Sequence, residues 1–196
     1  MVAVNLTDRF GQALQYAFEL HREQRRKGSD TPYMAHLLGV ASLVLEDGGD
    51  EDSAIAALFH DAVEDQGGLE TLEKIRKRFG ERVAEIVDSC TDSYEIPKPP
   101  WRGRKERYLA HLRQASADAR RVALADKLYN ARSILYDLER IGDDVWGRFR
   151  GGKEGTLWYY QSLVESFRDD ASVLAGELTD VVERIMLLAE DAQSGV

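Results

Sequence analysis

Cysteine is nearly absent from this sequence. Cys90 stands alone among 196 residues, so no internal disulfide can form. Long apolar runs are missing as well. Gly39–Leu45 is one of the longer ones, far short of the roughly 20 residues that a membrane-crossing helix needs. Met1–Asp8 lacks the apolar centre of a secretory signal. The expectation is therefore a soluble, cytoplasmic protein with no membrane partner. Positive charge is in deficit: 26 Lys and Arg face 35 Asp and Glu, for a net charge of −9. Such a surface repels a phosphate backbone, which argues against nucleic acid as a partner. A small phosphorylated ligand stays open, because one basic cluster or a metal outweighs a distant negative field. No segment alternates with period two over strand length. No linker rich in Gly, Ser or Pro divides the chain, so one domain is expected over 1–196.

What the sequence does contain is helical periodicity. Leu178, Val181, Val182, Ile185, Leu188 and Ala189 form one apolar stripe. Phe10, Ala13, Leu14, Ala17, Phe18 and Leu20 do much the same near the N-terminus, with Thr7 or Asp8 as the cap. Further helices are expected at about 34–47, 51–64, 69–78, 80–92, 102–115, 117–138 and 155–170. Glycine and proline punctuate them at Gly28 to Pro32, Gly48-Gly49, Gly67-Gly68, Pro97 to Pro100 and Gly151-Gly152. The pattern predicts an all-α helical bundle of about eight or nine helices.

Chemistry concentrates at Leu58-Phe59-His60-Asp61-Ala62-Val63-Glu64-Asp65. On a continuous helix His60 and Asp61 lie about 100° apart, with Glu64 and Asp65 one turn further on. The preceding Ala54 to Phe59 is small and apolar, so the segment reads as buried, and ionisable groups there need compensation. His36 opens a second apolar helix. Asp126, Asn130 and Ser133 share one face of a third. A blander reading has the acids facing solvent, His60 merely packed, and Asp126 paired with Lys127 or Arg132. Taken together, His36, His60, Asp61 and Asp126 offer two nitrogens and two oxygens. That set suits Mn²⁺, Fe²⁺ or Zn²⁺ with open positions for water and substrate.

The order of these words resembles the HD-domain metal-dependent phosphohydrolases, and within them the hydrolase domain of the RelA/SpoT alarmone enzymes. The resemblance rests on His21-Arg22-Glu23-Gln24-Arg25-Arg26-Lys27, Thr31-Pro32-Tyr33 with His36, and His60 to Asp65. It continues through Phe79-Gly80, Val87 to Thr91, and Leu124 to Arg132. In length the chain is similar to the small alarmone hydrolases, the metazoan SpoT homologue included. The match is strong over about 8–138 and thins over 139–196, a helical C-terminal extension.

The resemblance implies that His36, His60, Asp61 and Asp126 bind one metal ion, Mn²⁺ in the family, with Fe²⁺ or Zn²⁺ as substitutes. It makes Glu64 and Asp65 the catalytic pair that orients or activates water, and Arg25, Arg26, Lys27, Asn130 and Ser133 the substrate contacts. The implied activity removes the 3′-pyrophosphate from guanosine 3′,5′-bispyrophosphate (ppGpp or pppGpp). Alternatives on the same fold are hydrolysis of another phosphorylated nucleotide, such as NADPH or a dNTP, and a non-catalytic nucleotide-sensing module. The sequence departs from the family at Leu37, where proline is usual, and at Gln66, where threonine is usual. Its basic loop before Gly28 is also short. Trp158-Tyr159-Tyr160 is expected in the core or at an oligomer contact, with closure over a nucleotide as the alternative. The Arg102 to Arg107 patch has no assigned role, and a homo-oligomer is left open. His21 and His111 are expected to be structural, and nothing marks Cys90 as a nucleophile.

Overall fold

Ser53 to Phe59 is buried along its whole length, and the other helices assemble around it. The computed structural model describes residues 4–95 and 97–194, with side chains described as far as residue 190. In chain order the helices are α1 (Asp8–His21), α2 (Met34–Glu46), α3 (Glu51–Phe59), α4 (Ala62–Asp65), α5 (Gly68–Phe79), α6 (Glu81–Cys90) and α7 (Trp101–Leu112). They continue with α8 (Ala117–Ile141), a 3₁₀ segment (Gly142–Arg148), α9 (Gly152–Phe167) and α10 (Val173–Ser194). Among the described residues there is no strand, only an isolated bridge between Arg25 and Pro32. No described helix is long and apolar enough to cross a membrane.

Local chemistry sets the ends. Thr7 caps α1 by accepting from the Arg9 amide, Asp50 caps α3 through the Ser53 amide, and Ser116 caps α8 through the Ala119 amide. Gly80, at φ 98°, turns the chain from α5 into α6 within one residue, a conformation that a Cβ would strain. Apolar faces then close on α3. Helices α1, α2, α6 and α8 pack against it, α10 lies along α8, and α9 packs on α7.

Two expectations are corrected. The helix expected over 51–64 is interrupted at His60 and Asp61, giving α3 and a separate single turn, α4. Apolar periodicity runs on through Ala62 and Val63 and so hides the break. The cause is visible in a hydrogen bond. The His60 ring nitrogen Nδ1 donates to the Ala57 carbonyl at 2.7 Å, taking an acceptor that a continuing helix would need. The second correction concerns the start of the C-terminal extension. α8 runs on to Ile141, and a 3₁₀ segment follows directly. Three-residue periodicity in so short a piece leaves no apolar stripe to detect.

Candidate functional site

Three parts of the fold converge on one point. α2 supplies His36, fully buried; the turn between α3 and α4 supplies His60 and Asp61; α8 supplies Asp126. The facing atoms are close: His36 Nε2 lies 3.2 Å from His60 Nε2 and 3.2 Å from Asp126 Oδ1, and His60 Nε2 lies 3.0 Å from Asp61 Oδ2. One ligating atom from each of the four residues falls within 4.8 Å of all the others. Ligands at about 2.1 Å from a common centre stand about 3 Å apart, so the spacing matches a coordination shell. The tautomer fits too. With Nδ1–H committed to Ala57, the lone pair of His60 Nε2 points into the centre, as a metal-binding imidazole requires.

The electrostatics agree. Burial opposes charging of His60, but the carboxylates of Asp61 and Asp126 outweigh it and hold the imidazole well above its ordinary range. Burial also works against the charged form of Asp126. Lys127 and then His60 overcome it and hold that carboxyl well below the usual range. Buried carboxylates facing imidazoles thus draw positive charge into the centre, whether protons or a cation. The bland alternative for Asp126 is present alongside the ligand geometry. Its Oδ2 pairs with Lys127 at 2.6 Å while its Oδ1 faces the histidines. Arg132 is engaged elsewhere, with Glu177.

Around this centre lie the other expected residues. Glu64 bonds Lys98, with Arg104 at 4.0 Å. Asp65 stands exposed at the rim and accepts from Gln24 Nε2 at 2.8 Å. Loss of water on its inner side, and then the charge of Asp61, hold Asp65 above the usual carboxylate range. Asn130 is doubly engaged: its Nδ2 donates to Asp126 Oδ1 at 2.6 Å and its Oδ1 accepts from Arg26 at 2.9 Å. Ser133 also accepts from Arg26, at 3.4 Å. Lys27 sits 6.0 Å from the Phe149 ring centroid. Arg25 is not brought in. It is exposed, among the described residues its guanidinium reaches only the Gln24 carbonyl, and it is not among the lining residues.

The ligand cluster opens on a cavity of about 280 Å³ lined by Asp61, Glu64, Asp65 and Asp126. This shares Tyr33, Lys105, Lys127 and Asn130 with a larger cavity of about 520 Å³. The larger one is strongly basic. Among the described residues, Arg26, Lys27, Lys98, Arg104, Lys105, Lys127, Arg148 and Arg150 line it, against Glu64 and Asp137 alone of the acids. Tyr159, Tyr160 and Trp101 form its apolar wall. The Trp158 cluster is therefore both core and cavity wall, and Arg102 stacks on Trp158 with its guanidinium carbon 3.1 Å from the ring centroid. Sequence reading missed Lys98, Lys127, Arg148 and Arg150 as lining residues, and no local spacing unites them. Tyr33 carried a signal in its motif. Its hydroxyl donates to Asp61 Oδ2 at 2.5 Å.

Comparison with known proteins shows the family to which this fold belongs. The chain is 39% identical over 170 residues to the guanosine-3′,5′-bis(diphosphate) 3′-pyrophosphohydrolase MESH1 of Xenopus tropicalis, covering 85% of this chain and 89% of that one. It is 37% identical over 142 residues to MESH1 of Homo sapiens, covering 71% and 74%. A solved metazoan orthologue of SpoT, described as hydrolysing ppGpp, superposes with a TM-score of 0.77 at 28% identity, over 93% of this chain and 98% of that one. A solved Listeria monocytogenes protein superposes at 0.68 with 31% identity, over 76% and 97%. The HD domain model matches residues 13–157, a span that holds all four candidate ligands, and the chain belongs to the HD domain family.

Proposed function

We propose that this protein removes the 3′-pyrophosphate from guanosine 3′,5′-bispyrophosphate, with one divalent cation, Mn²⁺ in the first instance, held by His36, His60, Asp61 and Asp126. The observation that carries the reading is the adjacency of that acidic centre to a cavity ringed by basic side chains. A phosphate-rich nucleotide needs both, one to react at and one to lie in. Three side chains of the larger cavity's lining also carry a buried atom with no hydrogen-bond partner among the described residues: Arg104 Nε, Thr156 Oγ1 and Tyr159 Oη. Leaving each unmet costs about 1–3 kcal/mol in the free protein.

Held by His36, His60, Asp61 and Asp126, a divalent cation would supply Lewis acidity toward a phosphoryl group and a nearby water. The chain's own groups do the rest. Arg26, Lys27, Lys98 and Lys105 bind and orient the two diphosphate arms, which sets the phosphorus on O3′ against the acidic centre. Asp65, held above the ordinary carboxylate range and lining the cavity beside the acidic centre, serves as the proton acceptor. Glu64 holds Lys98, and through it the phosphate it meets. Water adds to phosphorus, the P–O3′ bond breaks, pyrophosphate leaves, and O3′ recovers a proton, leaving GDP from ppGpp and GTP from pppGpp.

Metal-reconstituted protein offered ppGpp, GTP, a dNTP and NADPH tests the reading. Consumption of ppGpp at least about tenfold faster than the rest is expected. Equal cleavage of GTP or dNTP would leave only a general HD phosphohydrolase, and faster cleavage of NADPH would change the substrate. No turnover with Mn²⁺, Fe²⁺ or Zn²⁺ would favour a nucleotide-sensing module.

A further inference from the structure

A hydrogen-bonded chain reaches the site from the end of α1 and uses none of the metal-ligand residues. Gln24 is half-buried in the segment after that helix. Its Oε1 accepts from Gln66 Nε2 at 2.6 Å and faces His21 Nδ1 at 2.7 Å. An amide oxygen can only accept, so the His21 nitrogen is the donor. Two donors on one oxygen decide which end of the amide is which. The NH₂ group is left facing Asp65 Oδ2 at 2.8 Å. His21 is itself immobilised: it is 1% exposed and stacked on Tyr33, with ring centroids 5.3 Å apart and planes 18° apart. Asp65 needs such a hold. It sits on α4, only four residues long, and Gly67 and Gly68 follow at φ 113° and 61°, so the local backbone gives it little rigidity.

We propose that Gln24 is a positioning residue for the hydrolytic step, holding Asp65 through Oδ2 so that its other oxygen is kept for the attacking water. His21 and Gln66 fix Gln24 in turn. The inference rests on the hydrolase reading above, and it is separate from metal binding.

Gln24→Glu is the sharpest probe. It keeps the oxygen that accepts from His21 and Gln66, and it replaces the donor with a charge that repels Asp65. A fall in kcat of about 10–100-fold is expected. KM for ppGpp and bound manganese should stay unchanged, with only a small drop in thermal midpoint from the like-charge contact. A fall in midpoint or metal content equal to that of activity would make Gln24 merely structural and overturn the proposal. Gln24→Ala gives the second arm. In an Asp65→Asn background it should lower kcat no further, because its effect passes through that carboxylate, whereas an equal loss in both backgrounds would overturn the inference. A third readout needs no turnover. In metal-free protein, Asp65→Asn should shift the Gln24 side-chain amide resonances, and unmoved resonances would overturn the contact. Wild-type protein inert toward ppGpp would defeat the hydrolase reading, and the amide resonances would still decide the pairing.

Discussion

His60 is gripped from two directions, by the Ala57 carbonyl at Nδ1 and by Asp61 and Asp126 at Nε2. In the metal-free protein its raised proton affinity makes protons and metal compete for one place. The sign follows directly. A histidine whose folded pKa is raised contributes stability that is full below its unfolded value of about 6.5 and is lost as pH rises through the folded value. Metal needs the neutral ring, so its affinity rises over the same interval. The gain in thermal midpoint on adding Mn²⁺ is therefore expected to grow between about pH 6 and 8, and calorimetry in buffers of different ionisation enthalpy should register proton release. A gain that shrinks with pH would exclude His60 as a ligand. Glu64 lies outside the ligand set and bonds Lys98. Glu64→Gln should retain the metal and lower kcat/KM for ppGpp about tenfold, through the loss of its charged hold on Lys98. Metal loss on that substitution would make Glu64 a ligand. The candidate ligands stood out in the sequence because three of the four stand in two short words, His60-Asp61 and the Ala125-Asp126-Lys127 segment. The engagement of Asn130 with Arg26 did not, since it depends on a pairing across 104 positions.

α2 and α8 carry His36 and Asp126 to within 3.2 Å of each other, and Gly39 lets them approach. A Cβ there would overlap the ring of Tyr129, whose hydroxyl donates to the Ala35 carbonyl at 3.2 Å and whose face lies 5.7 Å from the Arg26 guanidinium carbon. Gly39→Ala gains about 1 kcal/mol of helix propensity. Overpacking against a ring held on two sides costs about 1–3 kcal/mol, and it wins. A net loss of stability and weaker manganese binding are expected, checked by denaturant titration and metal titration; a stabilised variant with unchanged affinity would refute the close approach. At this scale the sequence read well where a helix buries one stripe, as α10 does, and less well on α1, where Phe18 of the expected stripe is exposed and Tyr16 and His21 are buried instead. It failed at His60–Asp61, where a side chain rather than a breaker residue ends the helix, and at Gly142–Arg148, where no stripe exists.

The whole molecule carries a net charge of −9, yet it gathers eight basic residues around one cavity. Those residues come from positions 26–27, 98–105, 127 and 148–150, so only the folded chain reveals the cluster. An anionic substrate is drawn to it through a screened field, and kcat/KM should fall as ionic strength rises. Lys27 is exposed at the mouth, and Lys27→Glu should raise KM about tenfold or more while flattening that salt dependence. A variant with unchanged KM would remove the basic loop from substrate binding. The central claim is that water attacks the phosphorus on O3′ beside the four-ligand centre. Hydrolysis of ppGpp by the manganese-loaded protein in ¹⁸O-water tests it most directly. GDP and pyrophosphate should form in equal amounts, with the label in pyrophosphate; release of orthophosphate, or label in the nucleotide, would contradict it.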